Sequence, residues 1–408
     1  MATMHNRGVN TPAPTDSAAV RRANLSLVLR YVAAHGPCAR TEVAAGTGLV
    51  HASVTALVAD LIDRGLVAEV GAASSGGRGR PRRLVSLVPA RVRTTAVHVA
   101  WGYSTVMTSD LAGVPGLPRQ LPNSGGPFGP VENLADDIAS AVDAVGPPEP
   151  GVHHGRLVIA LSGPVTDRAQ DAPSPARSAS HLARLVADRL PGLPCPVDVV
   201  NDAKAAALAE YHALALRGGT VAYVKSDAGV AGALIVDGRV FHGSHGLAGE
   251  LGHIPVSLDG PVCRCGATGC LTTYVSTRAV LEEAGLGTSA SPQHTSAALT
   301  ELDHRLRTGE PSALAALNRA GHALGAALQS LTGVTDPDHV VLGGRLADWL
   351  PWLRPGIDAR LAPRRGAFPA FSPAVTPGTL GADAALHGAL AAGREHILAD
   401  PAAVPKGS

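Results

Sequence analysis

His253 is followed ten residues later by Cys263, Cys265 and Cys270 in a C-x-C-x4-C spacing. If these four donors share one ion, they pin this segment whatever the rest of the chain does. Neutral imidazole and thiolate are the ligands tetrahedral zinc takes, and four of them close its shell with no open position. Gly266 and Gly269 supply turns permissive enough to wrap backbone around an ion. The plain alternative is a set of unrelated thiols beside a surface histidine, and Cys195 does sit apart. The spacing predicts a structural rather than catalytic zinc, held by His253, Cys263, Cys265 and Cys270.

At 408 residues the chain is long for a single core, so two or three domains are expected. Hydrophobic residues make up 45% and aromatic ones only 3%, which leaves Ala, Val and Leu to do the packing. The net charge of +1 hides an uneven distribution. Between Val20 and Arg93 stand eleven arginines against four acids (Glu42, Asp60, Asp63, Glu69), a balance of about +7. A basic head on an acidic body suggests a polyanion partner, although an Arg-rich solvated face reads the same way. No amino-terminal apolar signal segment is present, and no run of about 18 apolar residues suits a bilayer. A cytoplasmic protein without membrane contact is expected, and reduced cysteines there read as metal ligands more readily than as disulfides.

Residues 1–16 lack periodicity and read as a disordered tail. Residues 17–90 read as a winged helix-turn-helix. Leu25, Val28, Leu29 and Val32 fall at helical spacing until Gly36-Pro37. A second helix starts near Arg40 and turns at Gly46–Leu49, and a third runs from about His51 to Arg64. In that third helix Val54, Leu57, Val58 and Leu61 share one face. His51, Ala52, Ser53 and Thr55 lie toward the other face or the helix start, and with Arg40 and Thr41 they are the candidate DNA contacts. A bare three-helix bundle is the alternative. The following stretch favours DNA: strands at 65–70 and 84–88 flank a tip reading Gly76-Gly77-Arg78-Gly79-Arg80-Pro81-Arg82-Arg83. Arg78, Arg80, Arg82 and Arg83 are candidate phosphate and minor-groove contacts.

From about Thr94, strands alternate with helices, which predicts an α/β body over 94–392 and a carboxy-terminal tail over 393–408. Two stretches there carry chemistry. Val197–Val200 runs into Asn201-Asp202-Ala203 at a helix start, where Asp202 suits either proton acceptance or helix capping. Gly249-Glu250-Leu251-Gly252-His253 leads into the cysteine cluster.

That pentapeptide, followed by the Cys-x-Cys-Gly-x-x-Gly-Cys-Leu run at 263–271, resembles the signature of the ROK family of repressors, open reading frames and sugar kinases. The resemblance covers about residues 20 to 392. It implies a two-lobed, actin-like, sugar-kinase-like α/β body behind the winged head. In family kinases an Asn-Asp-Ala run supplies the base for the sugar hydroxyl, and Asn201 and Asp202 match it. Glu250 and His253 match residues that hold the sugar. Three departures follow. The first phosphate loop, Asp-x-Gly-Gly-Thr in the family, reads Ala100-Trp101-Gly102-Tyr103-Ser104. The second, normally Gly-Thr-Gly, reads Asp227-Ala228-Gly229. The glutamate after Cys-Leu is replaced by Thr272. An aspartate about 4 Å from a phosphate oxygen costs roughly 4 kcal/mol at an effective dielectric of about 20.

The expectation is therefore a DNA-binding transcriptional regulator, a repressor, without kinase activity and without catalytic residues. A small effector, a sugar or sugar phosphate, is expected at Asn201, Asp202, Glu250, His253 and Thr272. Double-stranded operator DNA would be bound by a homodimer or homotetramer. The alternative is a bifunctional ATP-dependent sugar kinase and regulator.

Overall fold

The structure, a computed structural model, describes residues 17–73, 82–124, 126–147, 149–166, 177–193, 195–287, 292–368 and 373–407. The head comprises α1 (Ser17–His35), β1 (Cys38–Ala39), α2 (Arg40–Thr47), α3 (His51–Asp63), β2 (Val67–Ala73) and β3 (Arg82–Leu87). Leu25, Val28, Leu29 and Val32 of α1 are buried, as are Val54, Leu57, Val58 and Leu61 of α3. These are the faces that the spacing selects.

The turn between α2 and α3 falls later than the sequence suggests. Gly46 stays helical, and its lack of a Cβ lets the Tyr31 ring pack against it. Gly48, at φ 72°, makes the reversal instead. β1 was not expected; it pairs antiparallel with β3 to give a sheet of order β1-β3-β2. Two residues are too few for a periodic signal. β2 runs past the expected end to Ala73, with a bulge between Val70 and Ala72. Of the expected wing tip at Gly76–Arg83, residues 76–81, which include Arg78 and Arg80, lie outside the described residues, whereas Arg82 and Arg83 open β3.

The first body sheet uses β4 (Val92–Val99), β5 (Tyr103–Asp110), β6 (Arg119–Pro122), β7 (His153–Leu161) and β10 (Val197–Asn201), with α4 (Val131–Val145) between β6 and β7. A small pair, β8 (Val165–Thr166) with β9 (Arg177–Ser178), and α5 (Ala179–Arg189) precede β10. Its order is β10-β7-β4-β5-β6. α6 (Asp202–Ala213) leads to β11 (Thr220–Ser226), β12 (Val230–Val236) and β13 (Arg239–Val240). Helices α7 (Thr272–Val275), α8 (Thr277–Glu283), α9 (Pro292–Thr308) and α10 (Pro311–Thr335) follow. The chain ends with β14 (His339–Gly344), α11 (Arg345–Ala367), β15 (Ala374–Pro377) and α12 (Ala384–Ala399). The second sheet has the order β13-β12-β11-β14-β15. Ala96 and Val158 of the first sheet, Tyr223 and Val341 of the second, and Leu386 and Leu390 of α12 share one core.

The segment from 393 onward, expected as a tail, is not free. It remains helical to Ala399, and Ile397, Leu398 and Val404 join the apolar core of the head. Ser26 Oγ donates to the Leu398 carbonyl at 2.6 Å. Arg64 Nη1 donates to the carbonyls of Ala402 (2.9 Å) and Val404 (2.6 Å). Among the described residues no single helix is long and apolar enough to cross a membrane.

Candidate metal site and interlobe cleft

The four predicted metal ligands converge. One donor atom from each of His253, Cys263, Cys265 and Cys270 lies within 4.8 Å of all the others. Cys265 Sγ and Cys270 Sγ stand 3.7 Å apart, and Cys263 Sγ lies 3.6 Å from His253 Nδ1. A tetrahedron with metal–sulfur bonds of about 2.3 Å and metal–nitrogen bonds of about 2.0 Å has S–S edges of about 3.8 Å and S–N edges of about 3.5 Å. The two close edges match that spacing and the remaining donors lie within 4.8 Å, so the residues fit a metal ion. Local backbone sets this spacing. The Cys263 amide donates to the Ala267 carbonyl (2.8 Å) and the Gly266 amide to the Cys263 carbonyl (2.9 Å). Gly269, at φ 68°, passes so close to Ser257 that a Cβ would lie 1.9 Å from its carbonyl oxygen.

The expected effector residues are placed differently. Asn201 Oδ1 accepts from the Lys204 amide at 2.9 Å and its Nδ2 donates to the Gly163 carbonyl at 2.9 Å. Asn201, not Asp202, is therefore the cap of α6, and both ends of its amide are engaged. Asp202 is fully buried and its carboxylate faces protein groups. Lys225 Nζ and Ser162 Oγ each donate to Oδ2 at 2.6 Å, while the Ala203 amide donates to Oδ1. Thr272 Oγ1 accepts from the Val230 amide at 3.1 Å, so its hydroxyl ties the start of α7 to the start of β12. Glu250 is half-buried. Burial pushes its carboxyl up, against the opposing charges of His253 and Lys204.

Three residues around Asp202 escaped the sequence reading: His98, Ser162 and Lys225. A lysine directly after the apolar run Val221–Val224, within the same strand, is a legible anomaly, since a buried ammonium demands partners. Lys225 finds two, Asp202 and, at 2.8 Å, Asp227. Burial alone would raise the Asp202 carboxyl, but the charge of Lys225, then His98, holds it far below the carboxylate range. Burial would likewise lower Lys225, yet Asp202 and Asp227 hold it above its ordinary value. His98 Nε2 lies 3.5 Å from Asp202 Oδ2, too long for a firm hydrogen bond. A cavity of about 220 Å³ adjoins His98, Tyr103, Thr105, Gln120 and Asp383. It contains none of the expected effector residues.

The degenerate first loop forms the β4–β5 hairpin, with Ala100 and Tyr103 paired and Trp101-Gly102 at the tip. The half-buried Tyr103 phenol is pushed up by burial and by Asp227.

On the head, Thr41, His51, Ala52 and Thr55 are exposed and Ser53 is half-buried. Thr55 Oγ1 donates to the His51 carbonyl at 2.9 Å. Arg40 does not project freely, because its guanidinium donates to Glu69 at 2.8 Å and Arg83 pairs with the same carboxylate. Arg21 and Arg64 pair with Asp60, and Arg30 with Glu395. Much of the positive excess counted along the head is thus engaged internally, and the charge balance overstates what the described surface offers.

The sequence matches the ROK family over residues 128–395, more than half of the chain. A xylose repressor of Bacillus subtilis (strain 168) is 24% identical over 387 residues, covering 94% of this chain and 98% of the repressor. An N-acetylmannosamine kinase of Vibrio cholerae is 34% identical over 149 residues, 36% of this chain. The chain spans 50% of that kinase's length. A solved ROK family transcriptional regulator, described as a homologue of the E. coli MLC protein, superimposes with a TM-score of 0.75 over 93% of this chain and 97% of its own. Its identity is 21%, so it speaks for the fold alone.

Proposed function

The chain belongs to the ROK family, and we propose that it is a DNA-binding transcriptional repressor that takes a small sugar-class effector and does not transfer phosphate. The observation that carries the reading is the joint presence of a winged head and a Lys225-neutralised Asp202. The first supplies a DNA reader; the second leaves no free base in the cleft. The similarity to a xylose repressor over nearly the whole length of both chains supports the same reading.

Operator contacts fall to the exposed start of α3, through His51, Ala52, Ser53 and Thr55, and to Thr41. Arg78, Arg80, Arg82 and Arg83 of the wing take phosphates and the minor groove. Arg40 serves by positioning Glu69 and the wing base rather than by touching DNA. In a dimer or tetramer, two heads meet half-sites about 34–36 Å apart. The effector enters near Glu250, whose carboxylate accepts no hydrogen bond among the described residues, and shifts the balance between lobe arrangements. His253, Cys263, Cys265 and Cys270 hold a structural zinc, which braces the loop after Glu250.

The test has two arms. Purified protein is mixed with genomic fragments over a salt series, and with ATP plus a panel of sugars. Salt-dependent retardation of particular fragments, weakened by one or more sugars, and no ADP release are expected. ADP release with any sugar would establish the bifunctional kinase instead.

A further inference from the structure

Glu69 puts a negative charge among the arginines of the head. It lies on β2, and its two carboxylate oxygens serve different partners. Oε1 accepts from Arg40 Nη2 at 2.8 Å, and Oε2 accepts from Arg83 Nη1. Arg40 opens α2, one residue before the exposed Thr41, and Arg83 stands at the base of the wing on β3. Beside a phosphate backbone a bare carboxylate only repels, whereas one that holds guanidiniums also decides when they are available. The two pairs are unequal. The side chains of Arg40 and Glu69 are 22% and 26% exposed, that of Arg83 71%. Among the described residues Arg83 makes no other side-chain hydrogen bond, so four of its five N–H groups are uncommitted there. If Arg83 departs, Glu69 keeps Arg40, and no charge is stranded.

We propose that Glu69 is an internal counterion that holds Arg83 until a DNA phosphate takes its place, with Arg40 as the lasting partner of the carboxylate. Contact by Arg83 is then an exchange of one anion for another, and it adds less affinity than contact by a free guanidinium. Phosphates carry no sequence information, so the effect falls on every duplex alike and holds down binding to arbitrary DNA. This role rests on the DNA-binding reading above.

The test uses the full chain and a mixed-sequence duplex of about 30 base pairs at low salt, so no operator need be known. Glu69→Gln removes the charge and keeps a side-chain acceptor for Arg40, and its thermal midpoint should stay close to that of the parent. It should bind the duplex roughly two- to fivefold tighter. In an Arg83→Ala background, where the salt slope should be shallower by about 0.9, the same change should bring little gain. An equal gain in both backgrounds would mean plain charge repulsion without a held arginine. Weaker binding by Glu69→Gln, or loss of the folded head, would make Glu69 a support instead. Either result overturns the proposal, as does a Glu69→Gln variant that binds like the parent. A parent that retards no duplex at all removes the DNA-binding reading itself, and this role with it.

Discussion

Arg64, the residue that closes α3, donates through one nitrogen to the Val404 carbonyl at 2.6 Å. The helix expected to read DNA is therefore fastened at its far end by residues from the other end of the chain. Its Nε also holds Asp60 at 3.0 Å, a carboxylate buried under Arg21 and Lys406 as well.

Arg64→Ala should destabilise the head by about 1–3 kcal/mol, because two carbonyls and part of a buried carboxylate lose their donor. Chain termination after Asp400 should have a larger effect, since it also removes Val404 from the apolar core. Urea unfolding followed on the head, with the body as internal reference, measures both. Body unfolding that shifts as much as head unfolding would contradict this assignment.

Removing a metal ligand should cost more than removing one ordinary contact. Cys265→Ser is exposed enough to fold without steric conflict, yet it should abolish tight zinc binding and lower stability by at least about 3 kcal/mol. Elemental analysis should fall from one zinc per chain to none. A parent protein purified without bound metal, or a variant that keeps it, would refute the site.

The Lys225–Asp202 pair should behave as a unit. Lys225→Met strands a fully buried carboxylate and should cost about 3–5 kcal/mol, whereas adding Asp202→Asn to it should recover much of that loss. Additive effects in a denaturant double-mutant cycle would mean that the two groups do not interact.

His154 gives a pH dependence. Its ring is buried on β7, with Nε2 3.0 Å from Thr95 Oγ1, and burial, aided by the charges of Arg93 and His153, pushes its pKa down to about 4. Above about pH 6.5 the ring is neutral both folded and unfolded, and its full contribution is present. As pH falls from about 6.5 toward about 4, only the unfolded chain takes up the proton, and stability declines by up to about 3 kcal/mol. Urea midpoints between pH 7.5 and 4.5 should fall less steeply for His154→Leu than for the parent.

Local signals carried the sequence reading furthest. The α3 face and the Gly-rich metal loop are written in contiguous residues whose spacing is the geometry. The head's third strand was invisible, because Cys38-Ala39 acquires its pairing only from β3, far along the chain. α11 was hidden by Pro351, Pro355 and Pro363, each an ordinary helix breaker. Burial of Trp349, Leu350, Leu353, Ile357 and Leu361 outweighs those breakers. In the cleft, motif matching assigns a role to a side chain without its neighbours. Asp202 is where the pattern puts it, but Lys225 comes from another sheet and changes what that carboxylate can do.

The docked carboxyl end has a practical corollary for handling this protein. The Gly407 amide donates to the Asp63 carbonyl at 2.8 Å, so a purification tag or fluorescent fusion appended there emerges beside the last turn of α3. Such a label would crowd or loosen the head and, on the proposed function, depress operator affinity.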